Sequence, residues 1–366
     1  MRPKTSRAIS GRKLQFLRAG KGTYFLVAET IFGGNVQRLA FVIPYTGTWP
    51  KWSRLFFESV GKNPGIDILL LCENRPPFAV PANVKIRIIT KDELTGRFIR
   101  VTGLPLTTIS GHKLCDFRPF FGLAFADLLQ KYEFWGYCDI DLIFGDLRKL
   151  LTPEFYDSID VFSAHDKQVV GHFTIVRNMP ALNNLAFEIE NWQQLCMART
   201  SQLMDENAFS TAILSAPGVR WKRTEPIDEE LKKPFCSFGI TFGFSGEVAG
   251  SKQVLPMVAQ ISNGKVVCKF GAAATEALYI HFMGLKRAWH WRGFPKITES
   301  SYRLTRIGYG GPASSEQLLR FPWRQLWWLQ CLMQNSKSYC GTLLRSLLPE
   351  TVFLSIRRRV FGASRY

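Results

Sequence analysis

FWGYCDIDLIFGDL, residues 134–147, sets a run of aromatic and apolar side chains directly against three carboxylates, Asp139, Asp141 and Asp146. The aromatic half, EFWGYC over 133–138, has the composition of a buried β-strand. In an extended chain, side chains two residues apart point to the same side, so Asp139 and Asp141 converge just beyond the strand's end. Two carboxylates that close repel each other unless a cation lies between them. Hard oxygen ligands suit Mg²⁺ or Mn²⁺, ions that complete their shell with substrate phosphates. The alternative is that one Asp caps a turn and the other faces solvent. Asp146 differs, because it follows Gly145 and opens DLRKLL, where a helix cap is expected.

Working outward, RPFFGLAFADLLQKY (118–132) is expected to be the preceding helix, with Pro119 in its first turn. Upstream, LAFVIPY (39–45), KWSRLFFESVG (51–61), IDILLLC (66–72) and VKIRII (84–89) read strand, helix, strand, strand. Downstream, IDVFSAH (159–165) and HFTIVRN (172–178) are expected strands. MDENAFSTAIL (204–214) is an expected helix capped by Asp205, and ALYIHFMG (277–284) the last strand. Alternating strands and helices predict an α/β fold: a Rossmann-like, mostly parallel twisted sheet covered on both faces. Ligands bind such sheets beyond the carboxyl ends of the strands. Three regions follow: a basic N-terminal extension (1–38), a central α/β domain (39–290) and a basic, aromatic C-terminal extension (291–366).

Composition narrows the partners. Of 366 residues 46% are hydrophobic, enough for a sizeable core, yet no run of eighteen apolar residues occurs. The first twenty residues are basic but lack the apolar stretch of a signal peptide, so a cytoplasmic protein is expected. The eight cysteines contain no CxxC pair and read as reduced core fillers. A formal charge of +18 calls for an anionic partner: nucleic acid, an anionic membrane or a phosphorylated substrate. No nucleic-acid-binding module is recognisable, and the basic residues gather at the chain's ends.

The runs AFVIPYTGTWPKW (40–52), HKLCDFRPFFGLAF (112–125) and YEFWGYCDIDLIFGDL (132–147) resemble a bacterial family of unassigned function, domain of unknown function 6625, with a GT-A glycosyltransferase-like fold. More distantly the chain is similar to glycosyltransferase family 8. The resemblance implies that Asp139 and Asp141 hold a divalent metal gripping the diphosphate of a nucleotide sugar, a UDP-sugar first among them. YIHFMGLKRAW (279–289) is similar to the HxxGxxKPW pattern of family 8, which makes His281 the third metal ligand and sets Gly284 and Lys286 against the diphosphate. The match departs at KRAW, so Trp289 has no assigned place, and a core histidine is the other reading of His281.

The remaining candidates are Pro44 and Tyr45, at the end of the first strand where the nucleotide base and ribose would lie. Lys113, Asp116 and Arg118 precede the central strand and are candidates for nucleotide or donor sugar, or form a solvated helix start. Asp205 and Glu206 match an acidic position that family 8 turns toward the sugar; N-capping by Asp205 accounts for it equally. The tail, with SEQLLRFPWRQLWWLQ at 315–330 and Arg357, Arg358 and Arg359 near the end, has the composition of a helix in a membrane interface, or packs on the domain. The expected protein is a metal-dependent glycosyltransferase with Lys286, Asp205 and Glu206 in catalytic roles, acting on a glycan or lipid-linked acceptor in surface polysaccharide synthesis, peripheral to the inner face of the membrane. A nucleotidyltransferase is the rival enzyme, though PYTGTWP lacks the glycine-rich basic loop it needs; a basic nucleic-acid-binding protein is the non-enzymatic rival.

Overall fold

A computed structural model describes residues 12–19, 23–30, 37–109, 111–164, 168–222, 240–241, 257–270, 273–281, 301–305 and 308–310. The first ten strands are β1 (Arg12–Ala19), β2 (Thr23–Thr30), β3 (Gln37–Tyr45), β4 (Asp67–Cys72), β5 (Val84–Ile88), β6 (Tyr132–Cys138), β7 (Leu142–Phe144), β8 (Val161–Ser163), β9 (Phe173–Arg177) and β10 (Trp221–Lys222). They are followed by β11 (Ile240–Thr241), β12 (Met257–Ser262), β13 (Lys265–Phe270), β14 (Ala273–Ala277), β15 (Tyr279–His281), β16 (Ser301–Thr305) and β17 (Gly308–Gly310).

The central sheet has the order β10-β8-β9-β6-β3-β4-β5. Only β9 runs against the others, as an antiparallel partner of both β6 and β8. The sheet is therefore mostly parallel and belongs to a mixed α/β fold, as the strand and helix alternation implies. Its strands are apolar on both faces because both are covered. Ala40, Val42, Leu69, Leu71, Trp135 and Tyr137 face a core built with Phe98, Phe117, Phe120, Phe121 and Phe125. Their neighbours Phe41, Ile43, Ile68, Leu70 and Phe134 face a second core with Phe56, Phe57, Phe144 and Phe173.

The expected helix over 118–132 is replaced by a 3-10 segment, Gly111–Phe120, and two short helices, Phe121–Ala124 and Ala126–Leu129. Phe125, at φ −118° and ψ 20°, interrupts the helical run, and Phe117, Phe120, Phe121 and Phe125 are all buried in one core. Packing of four large rings overrides helical regularity here. The helix expected from Met204 begins at Asn207, and Asp205 does not cap it. A further helix, Lys91–Thr102, escaped the pattern reading although TKDE at 90–93 spells its capping box. Thr90 accepts from Glu93 N at 3.1 Å, and Glu93 accepts from Thr90 N at 2.7 Å.

A five-stranded antiparallel sheet, β14-β13-β12-β16-β17, buries Ala259, Ile261, Val266, Tyr302 and Leu304 against Leu55, Ile143 and Ile280. Pairing of β16 with β12 carries ordered strands past the boundary expected near residue 290, and β15 is not the last of them. Among the described residues no helix is long and apolar enough to cross a membrane. Gly284, Lys286, Trp289 and the aromatic tail over 311–366 lie outside the described residues.

Candidate metal centre

The site is built where β6 ends. Asp139 N still bonds to His172 O at 3.2 Å, extending the β6–β9 ladder by one residue. The chain then turns through Ile140 and Asp141 into β7. A separate short sheet, β11-β15-β7, pairs His281 with Leu142 and Ile280 with Ile143. This pairing brings His281 to the acidic pair. Its Nε2 lies 3.4 Å from Asp141 Oδ1 and 4.0 Å from Asp139 Oδ2. One donor atom from each of the three residues falls within 4.8 Å of the others.

The three donors are unequally exposed: the Asp141 and His281 side chains are 3% and 6% accessible, whereas Asp139 is 34%. His281 Nε2 is buried without a hydrogen bond, although Asp141 is within ion-pair range. A buried imidazole nitrogen lacking a hydrogen bond is costly, and a cation among the three donors removes that cost. Two carboxylates and an imidazole also form a donor set suited to Mn²⁺ or Mg²⁺. The residues therefore fit the ion expected of them.

Sequence reasoning missed His172. Its ring stacks on His281 with centroids 4.5 Å apart and planes 22° apart, and its Nε2 shares a 3.0 Å hydrogen bond with the Tyr279 hydroxyl. The available signal was a histidine opening the apolar strand HFTIVRN, which pairs with the strand bearing the acidic triplet.

Lys113, Asp116 and Arg118 share the 3-10 segment but divide in role. Asp116 is fully buried and accepts from Lys113 Nζ at 2.8 Å, Gln202 N at 2.9 Å and Met204 N at 3.1 Å. Lys113 Nζ also donates to Leu195 O at 2.6 Å. These two residues brace the turn over 201–206 instead of facing the cavity. That turn holds Leu203 at φ 53°, a conformation that costs a non-glycine residue about 1–2 kcal/mol.

Arg118 faces inward. Its Nη1 donates to Asp205 Oδ2 at 2.8 Å, its Nη2 donates to Asp139 Oδ1, and its guanidinium sits 5.3 Å over the Tyr137 ring. Asp205 Oδ1 is buried without a hydrogen bond. Burial, opposed by the Arg118 charge, lifts the Asp205 carboxyl to about 6. Glu206 accepts from Gly171 N at 3.0 Å. Asp146 caps the 3-10 turn Leu147–Lys149, as expected, accepting from Arg148 N at 3.2 Å.

A cavity of about 650 Å³ opens over this constellation, at the carboxyl ends of β3 and β6. Asp139, Asp141, His281, Arg118, Asp205 and Glu206 all line it. Pro44 and Tyr45 line it as well; Tyr45 stacks on Trp49 at 4.0 Å and donates to Thr48 O at 2.8 Å. Lys113 and Asp116 do not reach it.

Among solved structures, the chain is similar to the glycosyltransferase GlyE of Streptococcus pneumoniae TIGR4, with 12% identity and a TM-score of 0.33. That match spans 91% of this chain and 66% of the other, just under two thirds of it. A likeness this faint carries no argument about fold or activity. No curated protein matches the chain. The profile of a family of unknown function, DUF6625, matches residues 41–305, which takes in β6, β7, β15 and the cavity between them, and the chain belongs to that family.

Proposed function

We propose that the protein is a metal-dependent glycosyltransferase of GT-A type, moving a sugar from a nucleoside-diphosphate sugar to a hydroxyl of a glycan or lipid-linked acceptor. One observation carries this reading: Asp139, Asp141 and His281 converge on one cavity at the carboxyl end of a mostly parallel sheet. In it these three residues hold Mn²⁺ or Mg²⁺, which when bound neutralises the diphosphate and stabilises the departing charge. Pro44 and Tyr45, which line the same cavity, flank the base and ribose. Asp205 and Glu206 accept hydroxyls of the sugar, consistent with an Asp205 oxygen that has no hydrogen bond. Gly284 and Lys286 keep the phosphate-facing roles that the motif implies.

Incubating the pure protein with Mn²⁺ and a panel of nucleotide sugars tests the reading. Slow, Mn²⁺-dependent release of a free nucleoside diphosphate, with a thermal shift for the same nucleotide sugar, is the expected result. Release of pyrophosphate from a nucleoside triphosphate would replace it with a nucleotidyltransferase. No shift with any nucleotide would remove both.

A further inference from the structure

The Asp139 carboxylate is divided between two claims. One oxygen, Oδ1, accepts from Arg118 Nη2, while the other, Oδ2, faces His281 Nε2 across 4.0 Å. Asp141 Oδ1 and Asp139 Oδ2 both face His281 Nε2, at 3.4 and 4.0 Å, so Oδ2 is open to an ion while Arg118 draws on the charge of the same carboxylate. Arg118 cannot withdraw freely. Its other nitrogen is bound at 2.8 Å to Asp205, whose side chain is 2% exposed, and its face lies over Tyr137. Asp139, by contrast, is the most exposed of the three donors and the one able to shift.

We propose that Arg118 competes with the divalent ion for Asp139, serving as the site's own cation until an anionic ligand takes over its free hydrogen bonds. The inference rests on the metal reading of Asp139, Asp141 and His281. Released from Asp139, Arg118 keeps one fork on Asp205 and presents the other to the cavity, where a phosphate oxygen matches it. Divalent ion and diphosphate then bind with positive coupling, because each removes the group that opposes the other.

The test uses the full chain, Mn²⁺ and inorganic pyrophosphate, with binding followed by the electron paramagnetic resonance of free Mn²⁺. The double variant R118M/D205L removes one positive and one negative charge together, so the net charge around the ligands is unchanged. It also leaves neither member of the buried pair without its partner. If Arg118 draws on the Asp139 carboxylate in competition with the ion, the variant binds Mn²⁺ alone at least about threefold more tightly than the wild type, the scale of one hydrogen bond. The enhancement of Mn²⁺ affinity by pyrophosphate then shrinks by a similar factor. Unchanged or weaker Mn²⁺ binding by the variant, with binding by the wild type abolished in D141N, would overturn the competition and leave the metal reading intact. Binding by neither protein at millimolar Mn²⁺ would overturn both. R118K, which keeps the charge but not the fork that spans Asp205 and Asp139, is expected to fall between wild type and the double variant.

Discussion

Asp141 Oδ1 stands 3.4 Å from His281 Nε2, and the backbone pairing of His281 with Leu142 fixes that separation. The acidic triplet and the distant histidine thus meet through main-chain hydrogen bonding, and a side chain can be changed without dismantling the sheet that presents it.

For this reason Asp141→Asn is expected to weaken Mn²⁺ binding by at least about tenfold while the metal-free protein keeps its stability within about 1 kcal/mol, since a buried charge is removed at constant shape. Asp139→Ala is expected to differ, because Arg118 would keep only Asp205 as a partner and the metal-free protein would lose about 1–3 kcal/mol. Calorimetry with a Mn²⁺ titration on each variant measures both effects. Equal Mn²⁺ affinity in wild type and Asp141→Asn would refute the assignment.

His281→Asn keeps β15 paired to β7 but removes the imidazole that stacks on His172. Mn²⁺ affinity should fall by about tenfold or more, and nucleoside-diphosphate binding should fall with it. An unchanged Mn²⁺ isotherm would return His281 to the core.

Gly136, in the middle of β6, has no room for a side chain. A Cβ there would lie 2.5 Å from Thr174 O and 2.9 Å from the Phe41 ring, backbone and core that cannot yield cheaply. Gly136→Ala is predicted to destabilise the fold by about 2 kcal/mol or more in urea unfolding, with an unchanged m-value. A loss below about 0.5 kcal/mol would mean that the β6–β9 spacing relaxes.

The Asp205 carboxyl has its ordinary value of 3.8 in the unfolded chain and about 6 in the folded one, chiefly through burial. Between those limits the folded chain holds a proton that the unfolded chain has released. Stability from this group is therefore present below pH 3.8 and is lost as the pH rises through 6, by up to about 3 kcal/mol. Asp205→Asn has no such loss. Its melting temperature should match wild type near pH 4 and exceed it increasingly toward pH 7.5. A pH-independent difference would show that Arg118 holds Asp205 ionised throughout.

Asp116→Ala is expected to cost about 3–5 kcal/mol, because Lys113 and the amides of Gln202 and Met204 would lose one shared buried acceptor. The turn carrying Leu203 and Asp205 should loosen, seen as faster amide exchange at Gln202 and Met204. Unaltered exchange there would assign the bracing to Lys113 alone.

Much of this was legible in local patterns. The parallel strands announce themselves as short apolar runs, and the Asp139–Asp141 spacing on a strand end fixes which carboxylates can meet. Asp146 shows its cap through the residues beside it. What escaped depends on distance. Nothing near Arg118 in sequence says that its partners are Asp139 and Asp205, and Asp205 looked like a cap because a helix follows it at once. The 3-10 segment and broken helices over 111–129 follow from where four phenylalanines dock, which periodicity does not encode. Strands β12, β13, β14, β16 and β17 escape the pattern reading, because each pairs only within its own sheet and the residues that cover them, Leu55, Ile143 and Ile280, come from elsewhere in the chain.

The pairing of β15 with β7 also orders events on the ribosome. A growing chain exposes β3 to β9 well before Tyr279–His281 has been made, so the parallel sheet can close first while Ile143 and Leu55 still lack the strands that cover them. Synthesis therefore passes through a stage with a formed sheet, a bare apolar flank and only two of the three ion donors. The three candidate donors come together only once β15 has been made, and a nascent chain arrested before it is a client for chaperones.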